Sequence, residues 1–414
     1  MRLKLPCKHQ FIVKLLIIFL IFFNVNMTFA YWANETTGSS DDSTGIVDIG
    51  DWWIPISTTM QFYEFATNTD SESNQVYYLE NDLDFTSFSW VFDDSVIFKG
   101  TLYGNHYTIP NLTITVNSGN YLGIFPRTDG ASIYDLAFEN VHMETNFNSA
   151  SLRSGLLIAQ VNGGINTLDN ISMSNCSIKG ASGQGVGGLI GKVNKSESIV
   201  NISNIKVSNT KIYSTASNVG GLIGRVGNDG ISVTMTDIDF QGEVFSETAS
   251  AYTGGLIGQN NANQSTSIER VIIEATHQNT LINNSYYLAY GLRYIGGFIG
   301  YNKNNAGYFS VSNAIYMGSL FNNQNNRRHM VGTVSGRFVT PSILNDVYYS
   351  FVEFRSGSGT VIYSPDTALT GELATLVDDD NYPSEMWWDS FFVDFVYTNS
   401  LWLQDGTGRP YLNI

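Results

Sequence analysis

Gly187-Gly188-Leu189-Ile190-Gly191 returns as Gly220-Gly221-Leu222-Ile223-Gly224, Gly254-Gly255-Leu256-Ile257-Gly258 and Gly296-Gly297-Phe298-Ile299-Gly300, with starts 33, 34 and 42 residues apart. Weaker copies extend the series. Gly155-Leu156-Leu157-Ile158-Ala159 and Leu122-Gly123-Ile124-Phe125-Pro126 lie upstream, and Gly332-Thr333-Val334-Ser335-Gly336 lies downstream, so the array covers about seven units. Self-similarity at such a period marks a repeat architecture, and it has to be read before any local element is assigned.

A second element recurs in phase with the first: Ile133 to Phe138, Leu168 to Met173, Ile202 to Val207, Met235 to Phe240, Ile268 to Ile273, Val311 to Tyr316 and Ile343 to Tyr348. Each has the form apolar-x-Asn/Asp-apolar-x-apolar or a near variant, is rich in branched residues and is bounded by Asn, Gly and Ser, which predicts period-2 strands. No helical stretch separates them. Short strands repeating in phase without helical spacers predict a parallel β-solenoid in which each repeat is one coil. One coil is expected to have three faces: Ile202 to Val207, Thr210-Lys211-Ile212, and Val219 to Val226. In-register stacking then places Leu189, Leu222, Leu256 and Phe298 above one another in the core. The glycines suit corners, where they take positive φ and permit close backbone approach. Asn at matched positions is expected to form side-chain amide ladders.

These units resemble the GLUG motif of bacterial secreted and cell-surface proteins, which include adhesin-like proteins and the non-catalytic repeat regions of some immunoglobulin A peptidases. Tyr78 to Asp84, Phe98 to Ile109 and Asn120 to Asn140 resemble the lead-in to such repeats, and Leu401-Trp402-Leu403 through Gly408 to Leu412 resembles their closing segment. The resemblance covers about residues 50 to 414; the first, second and last units depart from the motif. It implies an all-β chain folded as a right-handed parallel β-helix, a β-solenoid of about 33-residue coils with capped ends, in a surface or extracellular setting.

The 414 residues divide accordingly. Residues 1–30 read as a signal peptide: Arg2, Lys4, Lys8 and Lys14, then the apolar run Leu15 to Phe23, then Thr28-Phe29-Ala30 with small residues at the cleavage positions. Residues 31–49 read as a flexible leader, 50–120 as an N-terminal cap with the first rungs, 121–364 as the repeats and 365–414 as a C-terminal cap. Trp52 and Trp53 are expected to close one end of the stack; Leu369 to Leu376, with Thr370 as helix N-cap, then Trp387, Trp388 and Trp402, are expected to close the other. Cys7 leaves with the signal. Cys176 alone remains, so stability rests on burial and hydrogen-bond ladders rather than on an internal disulfide. No transmembrane anchor is expected after cleavage. The formal charge is −16, with four of the 21 basic residues in the signal peptide, and no basic stripe suits a phosphate backbone, so nucleic acid is not an expected partner.

The sequence carries no His-Glu-x-x-His helix motif, no Gly-x-Ser-x-Gly elbow, no P-loop and no Cys/His metal spacing. A lone Cys176 reads as a small buried residue rather than a nucleophile. The expectation is therefore a chain that is not an enzyme, with no catalytic residues, cofactor or metal. A carbohydrate-active β-helix enzyme is the main alternative, because such enzymes need converging carboxylates and Asp93-Asp94 and Asp378-Asp379-Asp380 supply acidic runs, although each reads first as a solvated loop. A self-assembling structural subunit is a third reading. For binding, the unit that grows to 42 residues carries Tyr286, Tyr287, Tyr290 and Tyr294, which could meet a glycan or a surface protein from a loop, or pack back on the solenoid. Arg327-Arg328-His329 is a rare basic cluster in the next unit. The reading as a whole is a secreted or surface-associated protein of adhesion or extracellular interaction. Asn-x-Ser/Thr sequons occur at, among others, Asn111, Asn170 and Asn175, and the strand position of Asn170 argues against a glycan there.

Overall fold

The computed structural model divides the chain into two units, 1–52 and Trp53–Ile414. The described residues all lie in the second. They run from 53 to 414 except for 69–74, 92–94, 182, 216–217, 228–229, 248–250, 263, 280–293, 304–307, 323–330, 333, 336–341, 357–374, 377–382 and 395–399.

Three parallel sheets build the solenoid. The long sheet stacks β1 (Trp53–Ile56), β2 (Val76–Leu79), β3 (Thr101–Pro110), β4 (Ser132–Glu139), β5 (Ile165–Ser174), β6 (Ile199–Ser214), β7 (Ser232–Ser246), β8 (Ser265–Asn279), β9 (Tyr308–Asn322), β10 (Ser342–Ser356) and β11 (Thr375–Leu376) in chain order. Two further sheets of seven short strands each flank the glycine motif, one holding Val219–Gly220 and its counterparts, the other Ile223–Val226 and its counterparts. Ile190 pairs with Ile223 and Ile205 with Ile238, each one coil of 33 residues further on. The expected parallel solenoid is thus the observed fold. The expected third face, Val219 to Val226, is divided by the motif into two strands.

The motif residues stack as the repeat predicts. Leu189 N–H donates to Leu222 O at 3.0 Å, Leu222 to Leu256 O at 2.9 Å and Leu256 to Phe298 O at 2.9 Å, and all four side chains are fully buried. The motif glycines are required for a narrower reason than a corner of positive φ. A Cβ on Gly187 would lie 2.0 Å from Ile190 O, and one on Gly221 would lie 1.8 Å from Gly255 O. Neither residue has positive φ. Close approach of backbone to backbone is what excludes a side chain.

The second repeat element is not a simple period-2 strand. Core residues Ile202 and Ile205 are three apart, while Ile205 and Val207 are two apart, and all are buried. A regular strand would turn one of the first pair outward. The intervening residue restores the phase by taking the left-handed conformation: φ is 55° at Asp135, 56° at Asn170, 54° at Asn204, 56° at Asp237, 51° at Asn313 and 54° at Asp346. Asn and Asp enter that region more readily than other residues with a side chain, which accounts for their recurrence. Their amides reach the preceding coil: Asn170 Nδ2 donates to Asp135 Oδ1 at 2.5 Å, and Asn204 Nδ2 to Oδ1 of Asp169, the neighbour of Asn170, at 2.8 Å. Arg270 breaks the pattern, with φ of 52°, and is held by two hydrogen bonds to Asp237, Nε to Oδ1 at 2.8 Å and Nη2 to Oδ2 at 2.9 Å.

A second left-handed row follows at Asn111, Asn140, Asn175 and Asn209, and Asn209 Nδ2 donates to Asn175 Oδ1 at 2.7 Å. The sequon residues Asn111, Asn170 and Asn175 therefore spend their side chains on these ladders. At the next coil one residue is lost: Val207 pairs with Phe240, but Thr210 pairs with Gly242. β7 and β8 then run through this point without a second left-handed residue.

Helix α1 (Thr59–Asn68) meets the first coils. Thr58 Oγ1 accepts from Gln61 N at 3.2 Å and Gln61 Oε1 accepts from Thr58 N at 3.0 Å, a reciprocal box that satisfies orphan donors at the helix start. Phe62 packs edge-on against Phe85, and Phe65 against Phe98 and Phe125, so α1 inserts aromatics into the core. Of the two tryptophans expected to close this end, Trp52 lies outside the described residues, and Trp53 is largely exposed and stacks on Tyr103 instead of covering the core.

The closing segment differs from an end cap. Helix α2 (Glu385–Asp394) and the antiparallel pair β12 (Trp402–Gln404) and β13 (Pro410–Leu412) lie on the outer face of the long sheet. Trp388, Phe391, Trp402 and Leu412 are buried against Ile272, Ile315 and Met317, whose neighbours Ile273, Ala314 and Tyr316 face the solenoid core. Outward apolar residues on β8 and β9 need cover, and this segment supplies it. Arg409 Nη2 donates to Asp239 Oδ1 at 2.9 Å, with the two side chains only 5% and 2% exposed, and Trp402 Nε1 donates to Asp237 Oδ1 at 2.7 Å. Of the stretch expected to begin this cap, Leu369 to Ala374 lie outside the described residues, and Thr375–Leu376 is strand rather than helix.

Candidate functional site

The residue after the third motif glycine faces outward, and it is polar in every coil: Lys192, Arg225, Gln259 and Tyr301, preceded by Arg127 and Gln160. Strand pairing aligns them in one row, Arg127, Gln160, Lys192, Arg225, Gln259, Tyr301. The other short sheet contributes a facing row. Tyr121, Arg153 and Gly185 are paired in register, and Asn218, Tyr252 and Tyr294 continue it through their carbonyls.

The two rows interlock into one strip along the coils. At its start Arg127 and Arg153 lie over the Tyr121 ring, 5.6 and 5.4 Å from its centroid, which suits the negative ring face. In the middle, Gln184 Oε1 accepts from Lys192 Nζ at 3.0 Å and from Arg225 Nη1 at 3.4 Å. Gly185 leaves room for this arrangement, since a Cβ there would lie 3.1 Å from Arg225 Cβ. Asn218 Nδ2 donates to Gln259 Oε1 at 2.6 Å. Beyond it Tyr252, Tyr294 and Tyr301 stack on one another with centroids 4.8 to 5.7 Å apart.

Four cations therefore share this strip, and among the described residues none of them makes an ion pair. Their partners are neutral: Gln184, a ring, and the carbonyls of Ser95 for Arg127 and Ser151 for Arg153. The Nε atoms of Arg127, Arg153 and Arg225 are buried with no hydrogen-bond partner, as is Oε1 of Gln160, a residue 4% exposed. Burial lowers the Arg153 and Arg225 guanidiniums from their ordinary range. Burial, followed by the charges of Arg225 and Arg153, pulls the Lys192 ammonium from 10.5 down to about 8.

A pKa lowered in the folded state means that the charged lysine opposes folding. That penalty is full below about pH 8 and fades as pH rises toward 10.5. Lys192→Met should accordingly raise the urea midpoint at pH 7, with the advantage shrinking by pH 10. An advantage equal at both pH values would show that charge is not its cause.

The residues singled out from the sequence lie elsewhere or are built differently. Tyr286, Tyr287 and Tyr290 lie outside the described residues, as do Asp93-Asp94, Asp378-Asp379-Asp380 and Arg327-Arg328-His329. Tyr294 is 3% exposed and stacks in the strip, so its ring packs rather than projects. Cys176 is buried, its Sγ 3.3 Å from Ser174 O, and burial pushes its thiol up to about 11, which suits packing and not attack. Among the described residues no group of three or more His, Cys, Asp or Glu could hold a metal, and no helix is long and apolar enough to cross a membrane.

The fold and the strip define a parallel β-solenoid with one interlocked polar face. No family model and no curated protein matches the chain. Solved structures do. One, a "putative immunoglobulin A1 protease" from Bacteroides ovatus, is 14% identical, with a TM-score of 0.56 over 88% of this chain and 93% of that one. Another, an "IgA1 Protease", is also 14% identical with a TM-score of 0.44, and this chain covers 26% of its length. The first likeness is one of fold. It overturns the expectation that the chain is not an enzyme, because a chain of the same fold carries a protease name. The physical reason is that local motifs cannot exclude a site on a solenoid: residues tens of positions apart in sequence become neighbours on adjacent coils.

Proposed function

We propose that this chain is an extracellular β-solenoid that acts in adhesion or extracellular interaction by holding anionic ligands on the strip. The observation that carries the reading is the set of four cations, Arg127, Arg153, Lys192 and Arg225, with neutral partners only, on a chain of net charge −16. Charges gathered and partly desolvated without a counter-charge are unfavourable in isolation, and an arriving anion relieves both the repulsion and the missing hydrogen bonds. The signal-peptide-like segment 1–30 and the GLUG-like repeats support the extracellular setting.

The test is retention of the full chain by immobilised dextran sulfate against plain dextran. Wild type is expected to be retained by the sulfated matrix alone and released by salt, as screening requires. The double variant Arg153→Ala, Arg225→Ala should bind at least tenfold more weakly while melting as a folded protein. Equal retention of the variant would remove the strip from the reading.

A second reading, proteolysis of immunoglobulin A1, follows from the name of the structural neighbour at TM-score 0.56. Incubation of the chain with that immunoglobulin, followed by electrophoresis, decides it. Discrete heavy-chain fragments would establish it, and an intact heavy chain would dismiss it.

A further inference from the structure

We infer that the ligand of the strip is a linear acidic polysaccharide of the uronate type, laid along the direction in which the coils stack. This inference rests on the anion-binding reading and adds the chemistry of the ligand to it.

The unsatisfied atoms are of two kinds. Arg127 Nε, Arg153 Nε and Arg225 Nε are donors without an acceptor, whereas Gln160 Oε1 is an acceptor without a donor. Gln160 lies in the row directly between Arg127 and Lys192. A bare anion such as sulfate or a carboxylate satisfies the donors and leaves Gln160 Oε1 unmet, because it brings only acceptors. A sugar acid brings both, a carboxylate for the guanidiniums and hydroxyls for the glutamine. Beyond the cations the strip turns aromatic at the half-buried Tyr252 and Tyr301, and aromatic side chains with a polar tip suit the C–H faces and hydroxyls of pyranose rings.

Donor placement separates a polysaccharide from an acidic peptide. A uronate ring carries hydroxyl donors beside its carboxylate, whereas an ionised acidic side chain carries acceptors only. Arg127, Gln160, Lys192 and Arg225 occupy four successive coils, ~4.8 Å apart, so the unmet acceptor of Gln160 sits between cations and calls for a ligand that presents both kinds of group along its length.

The experiment compares polygalacturonate, poly-glutamate and galacturonic acid for binding to the full chain by calorimetry, with dextran sulfate as the probe of anion binding itself. Polygalacturonate is expected to bind at least tenfold more tightly than poly-glutamate of equal charge, with the monomer far weaker. Gln160→Leu is expected to reduce polygalacturonate affinity about tenfold, the loss of a hydrogen bond at a desolvated site. Arg225→Lys, which keeps the charge and loses the guanidinium geometry, is expected to fall between wild type and Arg225→Ala. Poly-glutamate binding as tightly as polygalacturonate, or a Gln160→Leu variant of full affinity, would overturn the sugar inference while leaving the anion strip standing. Failure of dextran sulfate and every carboxylate polymer to bind would overturn both.

Discussion

Gly221→Ala is expected to abolish cooperative folding, the larger of two effects with the greatest expected size. A methyl group at this position would lie 1.8 Å from Gly255 O and 2.7 and 2.8 Å from Cε2 and Cζ of Phe240. Relief by movement is blocked on each side. Gly221 N–H is bonded to Gly254 O at 3.1 Å, Leu222 N–H to Leu256 O at 2.9 Å, and Phe240 is fully buried. Accommodating the methyl therefore means separating two coils, with loss of their hydrogen bonds and of the core between them, and the destabilisation should exceed ~4 kcal/mol. Gly406→Ala is the matched control, because a Cβ there meets nothing within 4 Å and the change should stay within ~0.5 kcal/mol. Circular dichroism melts of both variants read the difference. A Gly221→Ala protein melting like wild type would show that the coils can part at the motif without penalty.

The second effect concerns the closing segment. Arg409→Ala leaves the carboxylate of Asp239, 2% exposed, without its cation, and should cost about 3–5 kcal/mol, as expected for one half of a buried ion pair. Glu274 also loses a cation 3.3 Å away. The double variant Arg409→Met, Asp239→Leu should recover most of that loss, since neither charge then remains buried. Tryptophan fluorescence is a fitting readout, because Trp388 and Trp402 are buried on this face and would gain water if the segment lifted. Equal stability of the single and double variants would mean that Asp239 is solvated when Arg409 is gone.

The solenoid was legible because the two determinants of stacking are written locally. Glycines where backbones meet and a branched residue between them repeat at nearly constant spacing, and one coil predicts the next. The left-handed corner was legible in part. Asn and Asp recur at Asp135, Asn170, Asn204, Asp237, Asn313 and Asp346, yet the three-residue step from Ile202 to Ile205, which requires the corner, is hidden inside a pattern that resembles alternation. The cationic strip has a local signal of its own: the residue after the last motif glycine is polar or tyrosine in each full copy. That position gains meaning only when strand pairing sets Arg127, Lys192 and Arg225 in one row and brings Arg153 across from another sheet. The contacts of the closing segment left no local trace. Arg409 and Asp239 are 170 residues apart, and Trp402 and Asp237 are 165. An acid on an outward strand position reads as solvated until something covers it.

The closing segment touches five successive strands of the long sheet. Tyr411 receives Lys206 of β6, Trp402 and Arg409 receive Asp237 and Asp239 of β7, Ile272 and Glu274 belong to β8, Ile315 and Met317 to β9, and Tyr348 of β10 meets Trp387. Repeat arrays ordinarily lengthen or shorten by whole units, because each unit asks only that its neighbour resemble it. Here the final stretch of chain measures the array. A duplication inserted between β6 and β10 would move Lys206 and Tyr348 one coil further apart, and the segment could then reach one but not the other. Coils added before β6 would leave every one of these partners in place. Growth of this protein by unit duplication is thus permitted toward its N-terminal end and barred under the segment, so that its last coils form a portion of fixed number.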